Sequence, residues 1–351
     1  MISVPSRYSQ LCSPIKGGFG NAVVCQDNHL EREVVIKQIN DPLDIDRLYV
    51  EIEALLKAKS KHVVEIYDVI KSDDEIAIVE EFLIGDDLVN FRASNNIYQF
   101  IQILYQLSCG LSDIHDCKIV HRDFKPNNVK YDKEDLLKIF DFGLAKYKKL
   151  PGSTKGLVGT FGFMAPELFH EPPIIDKPVD VYAFGASAFY LVLGETPECA
   201  RQKPLPRALL PEEGISNSIA LNKKIADLID SCLEIDPDDR PLMRDIKGAL
   251  MSELLHEKHK ATIVHEGQVH FLEEVGKGVK ISRGALDSLK IYYDGYNFRI
   301  QDISGDVYVN EVIAKDGQKI EGSSVIILGN PSLGGLRKFV TFDISHPEVI
   351  I

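Results

Sequence analysis

The sequence predicts an α+β protein built from a small β-rich region carrying one helix, a larger helical region, and a terminal all-β sandwich. Three observations predict it. Short β-branched runs surround a single helical stretch up to Phe82, apolar residues at steps of three and four take over from Leu88 to about His256, and after Thr262 the pattern returns to alternating strands.

In the first region Ala22–Cys25, Val34–Ile39 and Ile76–Phe82 read as strands, and Asp44–Lys59 as the helix. In the second, Phe100, Ile103, Leu104, Leu107, Leu111 and Ile114 form one apolar stripe, which predicts a helix packed on a core. The most apolar window, Val181 to Gly194, contains Gly185 and Ser187 and is shorter than the roughly 20 residues of a membrane span, so it predicts a buried core helix. The charged run Glu257-Lys-His-Lys260 marks a linker, residues 257–262, between a domain at 8–256 and a second at 263–351. There Leu289, Ile291 and Tyr293 alternate into Asp294-Gly295, and Phe298 and Ile300 alternate out of it, the pattern of a hairpin closed by a type I′ turn. Val307–Val309, Val325–Leu328 and Phe339–Ile344 supply further strands between glycine-rich turns.

Against 53 acidic residues stand 40 Lys and Arg, a net charge of −13, which argues against nonspecific binding of nucleic acid or anionic lipid as the main activity. The six cysteines are scattered without a C-x-x-C pair, as expected of reduced, mostly buried thiols rather than a disulfide framework or zinc site. No signal-peptide core opens the chain, so the expected location is the cytoplasm, with no membrane partner.

Gly17, Gly18 and Gly20 lie in Ile15-Lys-Gly-Gly-Phe-Gly-Asn-Ala-Val23 between two short strands. Residues without Cβ let backbone N–H groups approach phosphate oxygens, although a plain flexible hairpin fits them equally. Lys37, in Val34-Val-Ile-Lys37 on the next strand, could hold the same phosphates. The specific signal is His121-Arg-Asp-Phe-Lys-Pro-Asn-Asn128 followed by Asp141-Phe-Gly143. Phosphoryl transfer needs a carboxylate beside the attacking hydroxyl, oxygen ligands for magnesium, and cations against the charge on the transferred group. Asp123 suits the first role, Asn128 and Asp141 the second, and Lys125 the third, at the γ-phosphate.

In this order the elements resemble the eukaryotic-type (Hanks-type) serine/threonine protein kinase family, across residues 8–256. The resemblance implies a bilobal kinase fold, with a small β-rich lobe and a helical lobe. It also implies ATP with magnesium, or manganese in its place, and a protein as substrate. By resemblance the helix glutamate that pairs with Lys37 is Glu51, with Glu53 as the alternative. Glu81 C=O and Leu83 N–H would bind adenine, Asp87 would lie near the ribose, and Ile15, Ala22 and Val35 would line the base site. Gly159-Thr-Phe-Gly-Phe-Met-Ala-Pro-Glu167 resembles the segment that presents the acceptor residue. Glu167 would pair with Arg240, and Asp180 would open the buried helix, both structural roles.

Five positions depart from the pattern. Ile15 stands for the first loop glycine and should stiffen that end of the loop. Ala22 and Val35 exchange a valine and an alanine, which conserves the volume over the base. Lys130 stands at the apolar floor, where its stem could serve. Glu80 stands where a buried wall residue belongs, and a carboxylate there calls for a basic partner or an opening to solvent.

Lys125 after Asp123, with Thr160 ahead of Phe161-Gly-Phe-Met164, resembles serine/threonine kinases, and dual or tyrosine specificity is the alternative. Arg122, beside the catalytic aspartate, calls for an anion. In the family that anion is often an activation-segment phosphate, here on Ser153, Thr154 or Tyr147, while a plain carboxylate partner is the other reading. The C-terminal sandwich faintly resembles a forkhead-associated domain through Ile300-Gln-Asp-Ile-Ser-Gly-Asp-Val-Tyr-Val-Asn310 and Val325-Ile-Ile-Leu-Gly329. That implies a phosphoprotein partner contacted by Arg283 and Asn310, or else a degenerate sandwich. A small-molecule phosphotransferase is disfavoured by Glu167 and Arg240. A pseudokinase scaffold is disfavoured by the presence of Lys37, Asp123 and Asp141.

Overall fold

The structure is a computed structural model of the 351-residue chain, describing residues 5–13, 15–17, 20–38, 45–71, 76–93, 96–142, 146–147, 159–345, 347 and 349. Its contacts divide it into two units, Met1–Leu250 and Met251–Ile351.

The first unit opens with strands β1 (Tyr8–Gln10), β2 (Ile15–Gly17), β3 (Gly20–Asp27) and β4 (Arg32–Gln38), helix α1 (Ile45–Lys57), and strands β5 (Ile66–Lys71) and β6 (Ile76–Glu81). These strands form one antiparallel sheet in the order β1-β3-β4-β6-β5, with β2 added to β3. Because side chains alternate along a strand, the sheet sorts its residues onto two faces. Cys25, Val34, Ile36, Ala77 and Val79 pack with Tyr8 on one. Ile76 and Ile78 lie on the other, where Ile52 of α1 and Ile66 cover them.

Helix α2 (Ile97–Asp116) begins where the Asn96 side chain accepts from Gln99 N at 3.0 Å, an N-cap that satisfies an otherwise orphaned donor. All six residues of its apolar stripe are buried, as the three-four spacing requires. Strands β7 (Ile119–Val120), β8 (Val129–Tyr131), β9 (Leu137–Ile139) and β10 (Lys146–Tyr147) follow, pairing as β7 with β10 and β8 with β9. Helix α3 (Pro178–Leu193) is the apolar window of the sequence, buried along nearly its whole length. It stops at Gly194, whose left-handed φ of 84° a residue with Cβ adopts only with strain. Helices α4 (Lys223–Ser231) and α5 (Met243–Leu254) complete the helical part. Among the described residues no helix is long and apolar enough to cross a membrane. All six cysteines are free thiols.

The second unit contains β11 (Ala261–His265), β12 (Gln268–Leu272), β13 (Gly278–Arg283), β14 (Asp287–Tyr293), β15 (Phe298–Ser304), β16 (Val307–Val309), β17 (Val312–Ile313), β18 (Ser324–Leu328) and β19 (Lys338–Ile344). They build a six-stranded sheet, β12-β11-β19-β18-β16-β17, and a three-stranded sheet, β13-β14-β15. Alternate residues of both sheets share one core, among them Ile263, Leu289, Ile291, Phe298, Ile326 and Phe342, which makes the unit an all-β sandwich. Its first strand starts at Ala261, a fully buried residue inside the 257–262 segment read as linker.

One turn differs from its expected form. Asp294-Gly295 does not close a two-residue type I′ hairpin: the register sets Tyr293 against Phe298 and leaves a four-residue loop. The reason is the Asp294 carboxylate, which accepts from Tyr296 N at 2.8 Å and Asn297 N at 2.6 Å and so folds the loop around itself. Stacking of Tyr293 on Phe298, with centroids 4.6 Å apart, locks that register.

Candidate active site

The first part of the site is a sheet face fixed by register. Ile15 pairs with Ala22, Ala22 with Lys37, and Lys37 with Ile78; in the adjoining row Val24 pairs with Val35 and Val35 with Glu80. The positions of Ile15, Ala22, Val35, Lys37 and Glu80 therefore share one face, the face of Ile76 and Ile78. Gly17 pairs with Gly20 at the tip of β2 and β3, and Gly18 lies outside the described residues. Lys37 Nζ stands 3.0 Å from Glu80 Oε2, so the basic group beside Glu80 is Lys37 itself. Glu51 is on α1 next to Ile52, and its side chain lies outside the described residues. Glu53 forms an ion pair with Lys57 one helical turn on.

Beyond β6 the chain crosses to the helical part. Glu81 N donates to Glu65 O at 2.9 Å, and its carboxylate takes Lys138 Nζ of β9 at 2.8 Å. Leu83 is buried, and its N–H has no hydrogen-bond partner among the described residues. Gly85 N donates to Tyr131 O at 3.0 Å, and Asp87 forms an antiparallel bridge with Lys130 while its Oδ1 accepts from Val89 N. Lys130 is half-buried beside Asp87.

The loop from His121 to Asn128 is the second part, and Asp180 at the start of α3 anchors it. Asp180 Oδ2 accepts from His121 N at 2.8 Å and His115 Nε2 at 3.0 Å, and Oδ1 accepts from Arg122 N at 2.8 Å. Burial pushes this carboxyl up; the His115 hydrogen bond, the charges of His115 and His121 and the Arg122 N–H outweigh it and hold it below the ordinary aspartate range. Arg122 takes a left-handed φ of 72°, a strained conformation that persists only where the surroundings hold it.

Within this loop the side chains converge on Asp123. Lys125 Nζ lies 2.6 Å from Asp123 Oδ2 and 2.6 Å from Thr160 Oγ1, and the Thr160 hydroxyl donates to Asp123 Oδ1 at 2.8 Å. Asn128 Nδ2 donates to Asp123 O at 2.8 Å. Phe140 N donates to Asn128 O at 3.0 Å, which sets Asp141, one residue on, beside Asn128 at the end of the β8–β9 hairpin. Asp141 has φ 68°, and its carboxylate makes no hydrogen bond or ion pair among the described residues. Among those residues no group of three or more His, Cys, Asp or Glu could hold a metal. An ion here would draw on Asn128, Asp141 and oxygens from a substrate.

Glu167 and Arg240 form a buried two-bond pair. Of the expected regulatory residues, Arg122 is buried and Thr160 belongs to the Asp123 cluster. Ser153 and Thr154 lie outside the described residues, as does the side chain of Tyr147, whose backbone pairs with Ile119. In the sandwich, Arg283 is bound to Asp287 through Nε at 2.7 Å and Nη2 at 2.6 Å, and Asn310 Oδ1 accepts from Val325 N at 2.9 Å. Both are occupied within the fold.

Sequence reasoning did not foresee that Lys37 meets Glu80, or that Thr160 touches both Asp123 and Lys125. Strand period could have found the first: once β4 and β6 are set side by side, residues 37 and 80 fall on one face. No local signal carries the second.

Residues 16–251 match the family described as Protein kinase domain. The chain is 30% identical over 248 residues to a rhodopsin kinase of Homo sapiens, covering 66% of this chain and 44% of that protein. It is 28% identical over 261 residues to a probable serine/threonine-protein kinase of Caenorhabditis elegans, covering 72% and 35%. To a probable serine/threonine-protein kinase of Clostridium acetobutylicum it is 30% identical over 241 residues, covering 63% and 36%. It thus spans less than half the length of these curated relatives. Matched from residue 16 to residue 251, the chain belongs to the eukaryotic-type protein kinase family.

Proposed function

We propose that this chain transfers the γ-phosphoryl group of ATP to serine and threonine hydroxyls of proteins, its own included, with magnesium as the required ion. The observation that carries the reading is the Thr160 hydroxyl donating to Asp123 Oδ1 at 2.8 Å while Lys125 stands 2.6 Å from both. A carboxylate that receives one hydroxyl can orient a substrate hydroxyl and take its proton, and the adjacent ammonium can meet the charge on the phosphoryl group.

The other residues take roles by position. Lys37 holds the inner phosphates, the Gly17, Gly18 and Gly20 turn cradles them, and Ile15, Ala22 and Val35 cover the base. Glu81 C=O and the Leu83 N–H, which has no hydrogen-bond partner among the described residues, suit the adenine edge, and Asp87 the ribose. The donor set fits magnesium: the Asn128 NH₂ group is spent on Asp123 O, which leaves its carbonyl oxygen, and the Asp141 carboxylate has no partner among the described residues. Magnesium takes oxygen ligands, few of them from the protein. When bound it would supply positive charge against the phosphate oxygens. For the second unit we propose a forkhead-associated-like sandwich in which Arg283 and Asn310 serve the fold.

Incubation with radiolabelled ATP and magnesium, followed by phosphoamino-acid analysis, tests the reading. Phosphoserine and phosphothreonine that vanish in Asp123→Asn are expected; phosphotyrosine as the main product, or label that persists in Asp123→Asn, would overturn it.

A further inference from the structure

Glu80 carries a carboxylate on a strand flanked by hydrogen-bonded neighbours on both sides, and only 2% of the residue is exposed. An ionised carboxylate in that position is costly unless a cation stands beside it. The cation is Lys37, 3.0 Å away. Register sets Val35 opposite Glu80 and Lys37 opposite Ile78, so the two side chains meet diagonally on the face that carries Ala22 and Val35. A lysine ammonium rides on a flexible four-carbon stem and by itself samples many positions. A carboxylate fixed to the adjacent strand removes that freedom, and it also favours the charged form of the amine.

We propose that Glu80 is a positioning residue for phosphoryl transfer, a counter-ion that helps hold the Lys37 ammonium in place on the sheet face. This deepens the kinase reading and rests on it, since it assigns Lys37 to the phosphates of ATP. Glu80 touches no reacting atom in this account; it acts through Lys37. Both members of the pair belong to one hydrogen-bonded sheet, so the ammonium is located by strand register.

Two measurements on Glu80→Gln in the full chain test it. With the Glu80 charge removed, an activated-ester acylating reagent, quantified by peptide mass spectrometry, should label Lys37 about threefold faster or more, relative to the exposed Lys223. In phosphoryl transfer kcat should fall by about tenfold or more while KM for ATP changes less than about threefold, because a mobile ammonium is lost mainly where charge develops. General loosening of the fold would not separate kcat from KM in that way. If Glu80→Gln does not fold, Glu80→Met, which gives the buried position an apolar side chain, carries the same two readouts. Lys37 labelling equal to that of the unsubstituted protein overturns the proposal, as does a kcat within twofold of it. The labelling measurement needs no catalysis, so a failed kinase reading and a failed role for Glu80 give different results.

Discussion

Arg240 holds Glu167, 73 positions earlier in the chain, through two parallel hydrogen bonds, Nη1 to Oε1 at 2.7 Å and Nη2 to Oε2 at 2.8 Å. The rest of the guanidinium is also satisfied, by Glu234 O, Pro178 O and Ile235 O. The pair therefore ties the segment after Thr160 to the turn before α5.

Removing one member leaves a buried charge without its partner. Arg240→Met should destabilise the first unit by about 3–5 kcal/mol, and Arg240→Met with Glu167→Met by distinctly less, since the apolar pair leaves no charge behind. Urea unfolding of the two variants checks the order. A double variant less stable than the single one would contradict it.

Asp123→Asn keeps the size of the side chain and its place between Lys125 and Thr160, and loses the capacity to take a proton. Phosphoryl transfer should fall by about 10²–10⁴-fold. Thermal unfolding should stay close to that of the unsubstituted protein. A large loss of melting temperature would assign Asp123 a structural role instead.

Asp27 is buried at the end of β3, where Arg7 Nε and Nη2 bind it at 2.9 and 2.7 Å. The Arg7 hydrogen bonds bring its pKa to about 2, against the opposing effect of burial and with help from His29 N–H and Leu30 N–H. A folded-state pKa below the unfolded value of about 3.9 means that the contribution to stability is complete above roughly pH 4 and is lost as pH falls toward 2. The difference in melting temperature between the unsubstituted protein and Arg7→Gln should thus be largest above pH 5 and shrink through that window. A difference constant from pH 6 to pH 2 would show that the pair does not act through this ionisation.

Arg283 and Asn310 are spent inside the sandwich, on Asp287 and on the β18 strand. Arg283→Ala leaves the buried Asp287 carboxylate short of a cation and should cost about 1–3 kcal/mol. Asn310→Ala should cost about 1 kcal/mol through the lost Val325 bond. Fluorescence anisotropy with phosphothreonine peptides should show no loss of binding in either variant per mole of folded protein. Selective loss of peptide binding would return both residues to a phosphate site.

Much of the architecture was legible because it is local. The stripe from Phe100 to Ile114 announced α2, and the shortness of the Val181–Gly194 window separated a core helix from a membrane span. The loop residues Asp123, Lys125 and Asn128 were legible because their chemistry lies within one short segment. The Asp294 turn was misread because dipeptide preference favours a two-residue hairpin, whereas the side chain of Asp294 and the Tyr293–Phe298 stack settle the loop length.

By itself the order of residues determined the three regions, the strand and helix periods and the set of chemically capable side chains, since each depends on neighbours a few positions apart. Only the tertiary structure decided that Lys37 meets Glu80, that Thr160 reaches Asp123, and that Asp180 ties down His121 and Arg122. Those encounters join residues 37 to 59 positions apart, and sheet register and helix packing, which no local preference encodes, bring them within 3.0 Å.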